Sequence, residues 1–363
     1  MNGAVDNRNL RAKEFVLNEL KKAKKSSNGQ DQKYSKELKL LKALIPIPAN
    51  GFRGIVLTSI VGMYLDNKFN PQINFYDCNP RSIFEKGIYY ALQDSKIPCG
   101  KSDPLNVAKN IQQIDLAWAK GKRPETAAIA AVEYINLLIA SKKSKRYEDL
   151  VSLFFGELYK YGEFINSQNV SISPESIAIA PALMATKLGA FVIDCAEGGA
   201  TTQYVVGLLI HYLRKNDATY KSVEGYQESV FGTNTTSKKP ADVWELNENG
   251  EYGNLYEITV KTIDKKRIED CIENLCNLNL QNLPVTFICN LPFDIETLEN
   301  VENNSITRKG VAIQFIDIKS YILFGYISLS DGLRNEYLKE LQEFIFDTNR
   351  ASKTKQYWAK NFS

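Results

Sequence analysis

The feature that most restricts what this chain can fold into is a single change of apolar rhythm near residue 190. Before it, apolar residues recur at helical spacing. After it, short strand-like runs are set between helical stretches. The second pattern predicts, in order, a helix over 200–215, strands near 228–232, 241–246 and 254–262, and a helix over 264–278. A strand over 284–290, further strands near 311–317 and 321–328, and an amphipathic helix over 331–349 follow. Interleaving of this kind predicts an α/β (α+β) fold, with a mixed central sheet flanked by helices and a large, mostly helical N-terminal region. The 363 residues suffice for two domains or one large one. We place a boundary near 190, giving regions 1–190 and 191–363.

The helical region carries its own start signals. Residues 1 to about 45 read as two helices around "SSNGQDQ", and the lysines of "KKAKKSSNGQ" suit a helix C-terminus or a phosphate contact. In "NPRSIFEKGI", Ser82 and Glu85 have the spacing of a capping box. In "KSDPLNVAKN", Asp103 is expected to cap and Pro104 to occupy the first turn; Ser173 and Pro174 repeat the device.

Composition excludes more than it suggests. The six cysteines form no CxxC pair and His211 is the single histidine, so a Cys/His zinc site lacks ligands. His211 lies in the apolar stretch "YVVGLLIHYLRK" and is expected as a half-buried helix residue, which leaves proton transfers to carboxylates, lysines or metal-bound water. The formal charge of +3 means that a nucleic-acid surface would have to come from local placement of charge. The polar opening "MNGAVDNRNL" shows no signal peptide, and "TAAIAAVEYINLLIA", broken by Glu133, is too short to span a bilayer. We therefore expect a cytoplasmic protein with no membrane partner.

The stretch "KKPADVWELNENGEYGNLYEITVKTIDKKR" (238–267) poses the chemical question. Alternation along "YEITVK" sends Glu257, Thr259 and Lys261 to one face and Tyr256, Ile258 and Val260 to the other. On the preceding strand Asp242 is flanked by apolar residues, where a lone ionised carboxylate would cost on the order of several kcal/mol unless paired. A hairpin through "NENGEYGN" sets Asp242 near Glu257 and Lys261. Two converging acids suit Mg²⁺, and a neighbouring lysine would orient a water and offset charge developing on a phosphate.

This constellation resembles the PD-(D/E)xK nuclease superfamily, with "PAD" (Pro240 to Asp242) in the place of its PD and Lys261 in the place of its lysine. The order helix, three strands, helix, strand over 200–290 is similar to its core. Thr259 stands where the second acid is expected, so Glu257 is the first choice for the second metal ligand and Glu245 the second. The blocks "NPRSIFEKGI", "KSDPLNVAKN", "GGATTQ", "SVFGTNTTSKKPADVWE" and "YEITVKTIDKKRIED" further resemble the SacI-type restriction endonucleases. That resemblance implies a Mg²⁺-dependent, site-specific double-strand DNA endonuclease, acting as a homodimer alongside a cognate DNA methyltransferase. It also implies a place near the metal for Gln203, with Glu197 as the alternative.

Under this reading "TNTTSKK" (233–239), with Lys238 and Lys239, would position a phosphate, as would Lys265, Lys266 and Arg267 at the next helix start. Arg81, Lys101 and Asn106 are candidates for base contacts, since Arg and Asn read guanine and adenine bidentately. The loop "KGKRPET" (120–126) would touch backbone. Two alternatives stay open: a repair or recombination nuclease with the same core, and a non-catalytic DNA-binding protein with a decayed site.

Overall fold

The computed structural model describes residues 2–25, 33–45, 50–228 and 239–363. They form two compact units, divided between Gln168 and Asn169. This is earlier than the boundary expected near 190, which falls inside a helix packed in the second unit.

The first unit is helical. Its long helices are α1 (Asn2–Lys25), α2 (Ser35–Leu44), α3 (Asn50–Leu65), α4 (Glu125–Ala140) and α5 (Lys145–Ser167), with shorter helical pieces between α3 and α4. Helix α3 is buried on every side, as an apolar helix without a polar stripe must be. Gly54 lets it approach Pro104: a Cβ there would lie 3.1 Å from the Pro104 ring.

Two of the three start signals work differently from expectation. Asn79, not Ser82, caps the helix Pro80–Ile83. Its φ of 50° is one that Asn tolerates, and its side chain accepts the Ser82 amide at 3.3 Å. Ser82 instead exchanges hydrogen bonds with Asn9, and Glu85 accepts from the Ser102 hydroxyl at 2.9 Å. Asp103 is the first residue of its helix and turns back to accept the Gly100 amide at 2.6 Å. Ser173 caps as expected, accepting from the Ser176 amide at 3.1 Å.

The second unit carries a mixed six-stranded sheet in the order β1-β2-β3-β4-β6-β5. Its strands are β1 (Tyr220–Glu224), β2 (Val243–Asn247), β3 (Tyr252–Ile258), β4 (Val285–Cys289), β5 (Ser305–Arg308) and β6 (Val311–Asp317). The central β3, β4 and β6 run parallel, and the flanking pairs are antiparallel. The helices are α6 (Pro181–Asp194), α7 (Ala200–Arg214), α8 (Lys265–Asn277), α9 (Ile318–Ser328), α10 (Asp331–Phe346) and α11 (Ser352–Phe362).

Each face of the sheet is covered. Helices α7, α9 and α10 share an apolar cluster with Val243, Tyr256 and Ile258. Helix α8 packs Ile268, Cys271, Ile272 and Leu275, spaced to fall on one helical face, against Leu255, Val285 and Phe287. The β2–β3 turn is held by Asn247, whose side-chain oxygen accepts the amides of Asn249 and Glu251, with Gly250 at φ 79°.

Two further expectations are corrected here. The segment 321–328 is not a strand but part of α9, because the parallel β6 ends at Asp317, whose side chain caps the helix by accepting the Ser320 amide. Strand β3 stops at Ile258, so Thr259 to Asp264 form the connection to α8. Strands β1 and β5 and helix α11 are additional to the expected set. Apart from Glu228, the strand expected near 228–232 lies outside the described residues. Among the described residues no helix is long and apolar enough to cross a membrane.

Candidate active site

The antiparallel register that pairs Val243 with Tyr256 sets Asp242, just ahead of β2, opposite Glu257 on β3. Both lie at the end of the sheet where the parallel strands β3 and β4 terminate, the position at which open α/β sheets bind ligands. The Asp242 carboxylate accepts the Ile258 amide at 3.0 Å. One nitrogen of Arg267, in the first turn of α8, stands 3.9 Å from Asp242 and 3.7 Å from Glu257. The sequence thus foresaw the two acids together, while the cation shown on them is one it had assigned to phosphate contact.

Side-chain exposure grades across this group: 9 % for Glu257, 21 % for Asp242 and 31 % for Arg267. The acids are therefore sunk into the sheet edge but reachable from solvent. Burial raises the pKa of the neighbouring Cys271 thiol, and the charges of Glu257 and Asp242 push it further the same way. Such a thiol stays protonated and is not a nucleophile. Asp294, after β4, is also raised by burial, against its hydrogen bond from the Asn290 amide and the nearby Arg267 charge.

Several residues outside the acid pair fix its position. From α7, buried Gln203 donates through Nε2 to the carbonyls of Gly225 (2.8 Å) and Asp242 (3.4 Å). Its contact with Asp242 is to the main chain, which makes Gln203 a positioning residue. From α8, Asn274 donates to the carbonyls of Lys239 (2.7 Å) and Pro240 (3.4 Å). Gly225, at φ 90°, passes so close that a Cβ would sit 2.3 Å from the Asp242 carbonyl. Sequence reasoning missed Asn274 and Gly225. An amide on the buried face of an amphipathic helix was the available signal for the first.

Lys261 is exposed in the connection after β3, and its amide donates to the Thr259 hydroxyl at 3.0 Å. That hydroxyl also accepts from Arg267 Nη1 at 3.1 Å. Glu245, the second choice for a ligand, is not with Asp242. It is fully buried on the opposite face of the sheet, held by Arg214 at 3.0 Å, the Tyr256 hydroxyl at 2.9 Å and Asn254 at 2.6 Å. The local register shift between Trp244 and Leu246 accompanies this arrangement. Glu197 is likewise elsewhere, accepting the Ala351 amide at 2.8 Å and paired with Arg350 at 3.2 Å.

Of the expected phosphate contacts, Lys239 pairs with Glu228 at 2.5 Å, Lys265 reaches Glu269 at 4.0 Å, and Lys266 is exposed. Lys238 and the rest of 233–237 lie outside the described residues. In the first unit Arg81, Lys101 and Asn106 are all exposed, and Arg81 stands 3.8 Å from Glu85. Because Glu85 also accepts from Ser102, the two sequence blocks that supply these residues meet at one place on that unit. In the loop 120–126 Lys122 donates to the Val107 carbonyl at 3.2 Å. His211 is half-buried on α7, and burial lowers its pKa.

The donor set suits a hard divalent ion. Asp242 and Glu257 offer carboxylate oxygens, and among the described residues no cluster of three or more His, Cys, Asp or Glu forms a larger metal cage. Mg²⁺ commonly takes only one or two protein carboxylates and completes its shell with water and substrate phosphate. No family model matches this sequence, and no curated protein matches it.

Proposed function

We propose that this chain is a Mg²⁺-dependent endonuclease for double-stranded DNA, built on a PD-(D/E)xK core and acting as a restriction enzyme of the SacI type. The observation that carries the reading is the placement of Asp242 beside Glu257, at the ends of the parallel strands, with Arg267 on both. The order of α7, β1 to β3, α8 and β4 supports it as well.

In this reading Asp242 and Glu257 would hold the ion, which when bound supplies an activated water and charge stabilisation at phosphorus. Ile258 and Gln203 orient Asp242 from its carboxylate and its carbonyl. Lys261, exposed in the connection that follows the strand carrying Glu257, would position the water and meet charge developing on the phosphate. Lys239, Lys265 and the exposed polar residues of the first unit, Arg81, Lys101 and Asn106, contact DNA. Homodimerisation on a palindromic site and a companion methyltransferase complete the proposal.

The test is digestion of a DNA of known sequence with Mg²⁺, followed by mapping of the ends. Discrete, reproducible ends are expected, and both Asp242→Ala and Lys261→Ala should abolish cleavage while DNA binding persists. Full plasmid cleavage by both variants would refute the assignment. A second reading, a DNA-binding protein that does not cut, is favoured by Thr259, whose hydroxyl serves Arg267 and the Lys261 amide in the place of an acid. Duplex binding with no cleavage in Mg²⁺ or Mn²⁺ would select it.

A further inference from the structure

The Arg267 guanidinium has two different kinds of contact. Its approaches to Asp242 and Glu257, at 3.9 and 3.7 Å, are charge pairings longer than a direct hydrogen bond. Its contact with Thr259 Oγ1, at 3.1 Å, is a hydrogen bond. Its backbone amide is fixed by the Asp264 cap at 2.8 Å, so the start of the side chain is anchored while its tip reaches the acids.

We propose that Arg267 is a resident counter-ion of Asp242 and Glu257, which a divalent ion displaces, and that Thr259 is the bracket holding it in place. The proposal rests on the nuclease reading above. A guanidinium does not lose its proton in a protein, so it cannot vacate the acids by deprotonation. An incoming dication competes for the same oxygens and repels a cation a few ångströms away. Arg267 can yield, because its side chain is 31 % exposed and at position 259 it meets a neutral hydroxyl rather than a third acid. Displaced, it lies beside exposed Lys265 and Lys266 at the edge where a phosphate would approach. Thr259 then explains itself: a carboxylate in its place would grip Arg267 and resist the exchange.

The experiment is calorimetric titration of Mn²⁺ into the full chain without DNA. We expect Arg267→Gln to bind Mn²⁺ about tenfold more tightly than the native protein, as loss of a competing charge requires. Arg267→Lys, which keeps the charge, should retain the native affinity, and Thr259→Val should shift it in the same direction as Arg267→Gln. Asp242→Asn should weaken binding at least about tenfold. Unchanged or weaker binding by Arg267→Gln or by Thr259→Val, with Asp242→Asn still impaired, would overturn the counter-ion role and leave the metal site standing. Native affinity in Asp242→Asn would remove the site itself and the proposal with it.

Discussion

Asp242 and Ile258 are joined across the sheet: the carboxylate of one accepts the main-chain amide of the other at 3.0 Å. The bond lies where β3 ends, so a side chain completes a ladder that the backbone leaves open, and it fixes the direction in which the carboxylate faces. A structural bond and the proposed metal-holding role meet in one group, and substitutions can separate them.

Asp242→Asn keeps an oxygen acceptor and loses the charge. It should match the native chain in denaturant unfolding and lose DNA cleavage. Asp242→Ala leaves the Ile258 amide without this partner, and should lose both cleavage and roughly 1–2 kcal/mol of stability. Equal stability of the two variants would show that the amide contact is dispensable.

The two glutamates flanking the hairpin should behave in opposite ways. Glu245 is a fully buried acid, so Glu245→Ala leaves the Tyr256 hydroxyl and the Asn254 amide without this acceptor while Arg214 keeps Asp217 at 3.9 Å, and it should destabilise the second unit by about 1–3 kcal/mol. Glu257→Gln removes an acid from the rim of the sheet; it should abolish cleavage with little change in the unfolding midpoint. A stable but inactive Glu245→Ala, beside an active Glu257→Gln, would exchange their roles.

Gly225 tests the framework rather than the acids. Alanine there would meet both a positive φ and the Asp242 carbonyl at 2.3 Å. We expect Gly225→Ala to cost roughly 2–4 kcal/mol. Cleavage should fall even at temperatures where the variant remains folded. Native activity in that variant would mean that the Gly225 approach does not position Asp242.

Lys355 gives a pH signature of stability in the second unit. It is fully buried on α11, its ammonium donating to Asn169 at 2.6 Å and to the Phe346 carbonyl at 3.3 Å. Burial lowers its pKa from 10.5 to about 8, against the pull of Asp347. Between those values the unfolded chain binds more protons than the folded one, so this group makes stability rise with pH across the window. Denaturant unfolding at a series of pH values should show that the native chain gains stability on going above about pH 8 relative to Lys355→Met. Parallel curves for the two proteins would exclude the buried ammonium as the cause.

The sequence by itself determined the elements whose cause is local. The helices 200–214 and 265–277, strand 285–289 and the Asn247 turn are written in apolar spacing and turn chemistry, and so is the alternation that separates Glu257 from Tyr256 and Ile258. Only the tertiary structure decided what lay between elements distant in sequence. The pattern of 321–328 fits a buried strand or a buried helix equally, and the end of β6 chose the helix. Glu245 and Glu257 look alike as acids in adjacent strands, yet the register and the shift at Trp244 send one to Arg214 and the other to Arg267. Periodicity reports which residues turn inward; which partner they meet there depends on contacts between elements, and no local pattern encodes those.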